Sequence, residues 1–396
     1  MDTEALRAEA RAAFAGLLAP RRLDRPATVL GAGADDLAPG REYLEALTPD
    51  GWAVPTWPRA VGGRDATPAE AGVIAEELAG FEVPDLYPYL VGLHVVGPTL
   101  LAVASPEQRG RWLPVIACGA EIWCQLFSEP GAGSDLANVG ARAERDGDTW
   151  RVNGQKVWTS RGAYAHRGFL LARSDPDVPK HAGITAFCLD MRAPGVDVRP
   201  LRQMNGDAHF SEVFLDDVLV ADHDRIGEPG SGWAVARTGL ANERGALGAV
   251  SAGTGVSATR LAALVQARGR EADPLLRSRV AAMYTASEVA RLTRGRARAR
   301  AEAGQVPGPE GSGAKLRASA AFKTSVDVAL GVLGPAGVAG SDPVAEEWQM
   351  LFLTAPSVSI RGGTDEIQRN IVGEHVLGLP PEPRVDLDRP WTEVPR

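Results

Sequence analysis

A chain of 396 residues has room for two or three domains and an extensive buried core. With 50 acidic against 42 basic side chains, a net charge of -8 and a pI near 5.4, it lacks the basic balance that nucleic-acid binding calls for. No apolar run is long enough to span a bilayer, and three cysteines (Cys118, Cys124, Cys188) without Cys-x-x-Cys spacing argue against a disulfide framework or zinc site and fit a reducing cytoplasm.

In chain order, Asp2, Glu4 and Glu9 among alanines predict an amphipathic first helix rather than a targeting segment. Residues 1–120 read as a helical domain. Thr67-Pro-Ala-Glu70 and Ser105-Pro-Glu-Gln108 are capping boxes with proline at the first helical position. Gly31-Ala-Gly33 has no strand-turn-helix context and predicts a loop, not a dinucleotide fingerprint.

Residues 121–229 change period. Short β-rich runs at 169–172, 184–189, 196–198 and 213–220 alternate with turn clusters, which predicts an antiparallel barrel or sandwich. Residues 230–379 are helical again, with segments near 232–267, 274–304, 313–333 and 343–353 and a final helix from Thr364. Such helices need partners for their apolar stripes, so a four-helix bundle is expected. Arg291, Arg294, Arg296, Arg298 and Arg300 form a basic cluster on one of these helices, read as a solvated face or an intersubunit contact. From Pro380 to residue 396 a proline-rich tail is expected to run extended or wrapped on the surface. The six histidines show no metal-ligand spacing, so no metal site is predicted.

One stretch carries more information than the rest. Trp123-Cys-Gln-Leu-Phe-Ser-Glu-Pro-Gly-Ala-Gly-Ser-Asp135 reads as a short strand entering a glycine-rich turn, where glycines admit positive φ and close backbone approach. Asp146-Gly147 and Asn153-Gly154 are both hairpin signals. Folding back there brings Lys156-Val-Trp-Thr-Ser160 beside Phe127 and Ser128. The residues alone leave two readings open: an ordinary hairpin with a core tryptophan, the commoner outcome, or a floor for a flat, polar-edged heterocycle.

Three segments in order, Phe127-Ser-Glu-Pro-Gly-Ala-Gly-Ser-Asp135, Asn153-Gly-Gln-Lys-Val-Trp-Thr-Ser160 and Arg361-Gly-Gly-Thr-Asp-Glu-Ile-Gln-Arg-Asn370, resemble the signatures of the acyl-CoA dehydrogenase family, and the likeness runs from about Leu44 to Leu379. The resemblance implies helical, β and helical-bundle domains in that order, FAD as cofactor, an acyl-CoA substrate and an electron-transfer flavoprotein as acceptor. It also implies a homotetramer or dimer. Desaturating a thioester needs a base for the α-proton, polarisation of the carbonyl and a redox cofactor, since no side chain accepts hydride.

By resemblance Gln125, Phe127 and Ser128 meet the flavin edge, Trp158 lies against the ring with Thr159 next to it, and Ser160 is near N5. Ser134 matches a position that binds the CoA arm, and Thr364 and Glu366 fall on the ribose-adenine side. Many relatives carry the catalytic Glu where this chain has Gly362, which leaves only a main-chain N–H for the thioester oxygen. A second branch, resembling isovaleryl-CoA and long-chain acyl-CoA dehydrogenases, places its Glu on the first bundle helix. The matching text, Leu240-Ala-Asn-Glu-Arg-Gly245, makes Glu243 the base and Arg244 its substrate-side neighbour. Glu243 is also the one acidic residue between Gly232 and Arg268; on the residues alone such a carboxylate is more often solvated, and it is the resemblance that favours catalysis. A desolvated cleft there predicts a carboxyl pKa raised toward the working pH.

One departure stands out. The Arg-x-x-Phe-Gly signature that grips FAD diphosphate in many relatives is missing from Ala267-Arg-Gly-Arg-Glu-Ala-Asp-Pro-Leu-Leu-Arg-Ser278, and Arg277 falls roughly where a Gln is expected. That keeps open a non-catalytic or half-site subunit of a heteromeric dehydrogenase. An oxidase or monooxygenase, or a dehydrogenase of carrier-protein thioesters, is the third reading.

Overall fold

Side-chain caps set the starts of three α-helices in the N-terminal third. The computed structural model describes residues 2–21, 36–250, 257–302, 308–309, 311–339, 342–384 and 386–394, without the side chains of 244–250, 294, 297, 298, 301 and 302. The Gly31-Ala-Gly33 segment lies outside the described residues. Helix α1 (Thr3–Leu17) starts after Asp2, whose carboxylate accepts the Glu4 N–H; α2 (Ala38–Leu47) follows. Both expected capping boxes are present, Thr67 with Glu70 ahead of α3 (Pro68–Leu78) and Ser105 with Gln108 ahead of α5 (Pro106–Ala117). Between them, a π-helical segment, Val91–Val96, leads into α4 (Gly97–Val103).

The middle of the chain forms one eight-stranded sheet. Its strands are β1 (Trp123–Leu126), β2 (Arg142–Asp146), β3 (Thr149–Ser160), β4 (Arg167–Arg173), β5 (Ile184–Asp190), β6 (Val196–Leu201), β7 (Phe210–Ala221) and β8 (Arg225–Ile226). The order is β6-β7-β3-β2-β4-β5-β8, with β1 added beside β4. The four strand runs read from the sequence are all present, but the sheet is not wholly antiparallel. β1 pairs parallel to β4, and β2 meets β4 parallel through Arg142 and Arg173. The chain reaches β4 from β1 only after the turn and the β2-β3 hairpin, which returns it in the same direction.

The bundle comprises α6 (Gly232–Val250), α7 (Ala258–Ala267), α8 (Pro274–Glu302), α9 (Gly311–Leu333), the single turn α10 (Ala336–Ala339), α11 (Pro343–Thr354) and α12 (Asp365–His375). The segment expected near 232–267 is two helices: Ser257 has extended dihedrals and its side chain caps α7 through the Arg260 N–H. α7, α8, α9 and α11 enclose one apolar core around Phe322, Val326 and Trp348. A separate, larger core joins the N-terminal helices to the sheet, and it includes Val235 and Ala236 of α6. Thus α6 belongs to the bundle by sequence and to the sheet by packing. The tail is not merely draped: Trp391 is buried, and its N–H donates to the Val178 carbonyl at 2.9 Å.

Candidate active site

The site begins where β1 ends. Glu129 and Ala132 exchange backbone hydrogen bonds of 3.1 and 3.0 Å, closing a two-residue turn over Pro130 and Gly131. Neither Gly131 nor Gly133 adopts positive φ, contrary to the expectation for this turn. A Cβ at either would touch nothing within 4 Å, so the chain's own packing does not require glycine at these positions.

The predicted fold-back is present. The Val157 N–H donates to the Ser128 carbonyl at 2.9 Å, and the Lys156 ammonium donates to the Phe127 carbonyl at 3.1 Å and to Glu129 Oε1 at 2.7 Å. Glu129 also accepts the Gly140 and Ala141 N–H groups. Lys156 is wholly buried. Burial pushes its pKa down, and the Glu129 carboxylate opposes that shift. This buried pair fixes Phe127 and Ser128 against β3. It went unnoticed in the sequence, although both members lie inside the two motifs.

One hairpin signal was real and the other was not. Gly147, at φ 60°, turns β2 into β3, but Asn153-Gly154 lies inside β3. Asn153 spends its amide across the sheet, donating to Asp217 Oδ1 at 3.0 Å and accepting the Asp217 N–H at 2.8 Å. Gly154 is required by a close approach: a Cβ there would sit 2.6 Å from the Ala141 Cβ.

β3 pairs with β7 irregularly between Lys156 and Thr159, and in that interval Trp158 takes φ 60°. Non-glycine residues adopt that conformation rarely. Its indole is 60% exposed and meets Phe210 edge-on at 5.8 Å. The core-tryptophan reading is therefore wrong. The bulge turns a large aromatic outward, while Thr159 is fully buried and Ser160 half-buried. Phe127 is buried against Phe169, with ring centroids 5.0 Å apart, so its side chain is core and only its main chain remains for a ligand. An exposed indole beside a turn of glycines without an intrachain reason suits a flat ring system, and the residues fit a flavin.

Helix α6 supplies the carboxylate. Val235 and Ala236 are buried, and a Cβ at Gly239 would come 3.3 Å from the Phe169 ring and 3.5 Å from Thr99 Oγ1. The Asn242 amide donates to the same Thr99 hydroxyl at 3.2 Å. Glu243 lies one turn beyond Gly239, on this sheet-facing stripe. It is half-buried, and its Oε2 accepts the Gln125 amide N–H at 3.2 Å. Gln125 belongs to β1, opposite Phe169, so the turn motif and the helix motif meet through this hydrogen bond. The side chain of Arg244 lies outside the described set.

A second group forms at the start of α12. Gly362 and Gly363 have φ of 66° and 84°, and Thr364 caps the helix by accepting the Ile367 N–H at 3.2 Å. The wholly buried Gln368 donates to the Gly362 carbonyl at 3.0 Å and fixes this turn. Asp365 is tied to Lys315 of α9 at 2.8 Å, whereas Glu366 is exposed beside Arg369. Ser134 is exposed at the turn, and Arg277 is exposed in the first turn of α8. Among the described residues no cluster of three or more His, Cys, Asp or Glu side chains could hold a metal, and no helix is long and apolar enough to cross a membrane.

Comparisons with known proteins place the sequence and the fold. The family models for the acyl-CoA dehydrogenase N-terminal, middle and C-terminal domains match residues 1–120, 124–218 and 230–377. The acyl-CoA dehydrogenase IpdE1 of Mycobacterium tuberculosis is 38% identical over 396 residues, covering 96% of this chain and 99% of that protein. Among solved structures, the "Tcur3481-Tcur3483 steroid ACAD" superposes with a TM-score of 0.78 at 29% identity, covering 96% of this chain and 98% of its own. The ChsE4-ChsE5 complex from Mycobacterium tuberculosis gives a TM-score of 0.74 at 29% identity, covering 96% and 97%.

Proposed function

The chain belongs to the acyl-CoA dehydrogenase family, and on that premise we propose that it desaturates an acyl-CoA thioester between its α and β carbons, with Glu243 as the base. The observation that carries this reading is the placement of Glu243. The lone acid of α6 faces the sheet and hydrogen-bonds Gln125, instead of extending into water. FAD is the cofactor, and when bound it supplies the two-electron acceptor for the β-hydride.

The chain's own groups then divide the work. Glu243 takes the α-proton, and the Gln125 amide orients its carboxylate. The Gly362 N–H polarises the thioester oxygen, lowering the cost of charge that develops there as the proton leaves. Gln368 supports that donor by holding the Gly362 carbonyl. Trp158 and the Ser160 hydroxyl would hold the isoalloxazine, together with Gln125, the main chain of Phe127 and Ser128, and Thr159. Ser134 and Arg244 serve the CoA side, and Thr364 and Glu366 the ribose-adenine side. An electron-transfer flavoprotein would serve as the electron acceptor. The steroid dehydrogenase among the structural relatives makes ring-bearing acyl-CoA thioesters the first substrates to try.

Anaerobic addition of straight, branched and polycyclic acyl-CoAs to the purified flavoprotein tests the activity. Bleaching of the flavin with stoichiometric enoyl-CoA supports the dehydrogenase. Bleaching by carrier-protein thioesters alone, or turnover only with oxygen, supports the other chemistries.

A specific observation favours a second arrangement of the same site. The segment that would carry Arg-x-x-Phe-Gly lacks it, Arg277 is exposed, and one structural relative is titled a complex, ChsE4-ChsE5, while another carries a paired name. We therefore propose that a paralogous partner completes the FAD diphosphate site. Chain purified alone would then hold little flavin, and co-expression with the partner would restore a full complement.

A further inference from the structure

The C-terminal tail reaches back across the molecule to the turn that carries Ser134. Beyond Pro380 the chain returns to the sheet, where Pro390 bridges Pro179, Trp391 donates to the Val178 carbonyl at 2.9 Å and Thr392 to the Pro176 carbonyl at 3.2 Å. The Trp391 indole is buried. Its Nε1 donates to Asn138 Oδ1 at 2.8 Å, and its ring lies 4.7 Å from the guanidinium carbon of Arg173. Arg173, itself buried, donates to the carbonyls of Ala137, Val139 and Lys180.

A second tie runs through Lys180. Its ammonium is almost wholly buried and donates to both oxygens of Asp135, at 2.7 and 2.8 Å, while also pairing with Asp386 of the tail. Arg384 pairs with the same Asp386 at 3.2 Å, and Lys180 and Arg384 together hold its carboxyl well below the usual carboxylate range. Asp135 directly follows Ser134, and Asn138 lies three residues further on. Glu129 closes the base of the same loop through Gly140 and Ala141. The tail therefore grips the outer side of a loop whose inner side is already anchored.

We propose that residues 386–394 are a clamp that sets the position of Ser134, with Asp386 and Trp391 as positioning residues for the CoA end of the substrate. The inference rests on the assignment of Ser134 to the CoA arm. Fixing a substrate-binding loop from outside costs no contact with the reacting carbons, so the effect belongs in substrate affinity and not in the chemical step.

The test uses the flavin-loaded protein, with its partner if flavin loading needs one. It compares deletion of residues 385–396, Asp386→Asn, Trp391→Ala, Trp391→Phe and Ser134→Ala, reading KM and kcat for an accepted acyl-CoA, flavin content and amide exchange of residues 131–140. The clamp predicts that deletion and Trp391→Ala raise KM about tenfold, with kcat and flavin content held within about twofold. Loop exchange should quicken, and Trp391→Phe, which keeps the ring over Arg173, should recover part of the loss. If the deletion does not fold, Asp386→Asn carries the same test with a smaller rise in KM.

Unchanged KM with unchanged loop exchange overturns the clamp. A fall in kcat together with flavin loss also overturns it, making the tail a general stabiliser. If Ser134→Ala raises KM and tail variants do not, the Ser134 assignment survives and the clamp fails. If loop exchange quickens in the tail variants while KM stays unchanged in them and in Ser134→Ala, the Ser134 assignment fails and takes the affinity effect with it.

Discussion

Glu243 and Lys156 are both ionisable groups taken partly or wholly out of water, yet they serve different ends. Lys156 meets a carboxylate and a carbonyl inside the sheet, so its charge is spent on holding two motifs together. Replacing it with Met leaves Glu129 with two main-chain donors and no counter-charge. Breaking a buried pair from one side costs about 3–5 kcal/mol, so Lys156→Met should lower the denaturation midpoint sharply and loosen flavin binding in the same preparation. The double substitution with Glu129→Gln should recover part of the stability. Glu243, by contrast, is half-buried and accepts the Gln125 amide N–H, so this contact ties the helix to β1 while leaving the side chain partly exposed. Its assignment rested on the resemblance of Leu240-Ala-Asn-Glu-Arg-Gly245 to the family's text, since a lone acid in an apolar helix by itself more often extends into water. The Gln125 contact was not legible, since nothing in the residues near 125 points to a helix over a hundred positions away.

At the scale of elements, propensity and capping located the helices and the strand runs, and failed where a tertiary contact overrode a local signal. Asn153-Gly154 is a strong turn dipeptide, but Asp217 engages the asparagine and the backbone at Ala141 occupies the space a side chain at 154 would need. Gly154→Ala should therefore destabilise the sheet by about 1–3 kcal/mol through overpacking, as measured by chemical denaturation. Trp158 was misjudged on pattern for a related reason. A bulge and a positive φ turn it outward, and alternation along the strand cannot register either.

The far end of the same strand is pinned by Asp222, which accepts the Trp150 indole N–H at 2.7 Å and Arg225 Nε at 2.9 Å. Arg225, and then Trp150, hold its pKa at about 2. The folded value lies below the ordinary carboxylate value, so the stabilisation is complete at neutral pH and fades as pH falls toward about 2. Asp222→Asn should cost on the order of 2 kcal/mol at neutral pH, and its deficit against the wild type should narrow mainly between about pH 4 and about pH 2.

Over the whole molecule, three domains in sequence become two apolar cores in space, because α6 joins the sheet's core while its neighbours build their own. That arrangement lets a carboxylate carried by the bundle, Glu243, meet Gln125 of the sheet. The tail crosses the molecule in the same sense, from the end of the bundle to the loop after β1. Composition marked it as an extended or surface-wrapped chain, and its docking through Trp391 and Asp386 was not read from the sequence.

The central claim is that one carboxylate on α6 removes the α-proton, and anaerobic rapid-mixing of acyl-CoA with wild-type and Glu243→Gln flavoprotein tests it most directly. The account predicts unchanged flavin content and spectrum in the variant, with flavin reduction slowed by about 10²–10⁴-fold, the range expected for loss of a general base. Reduction of the Glu243→Gln flavin at the wild-type rate would contradict it.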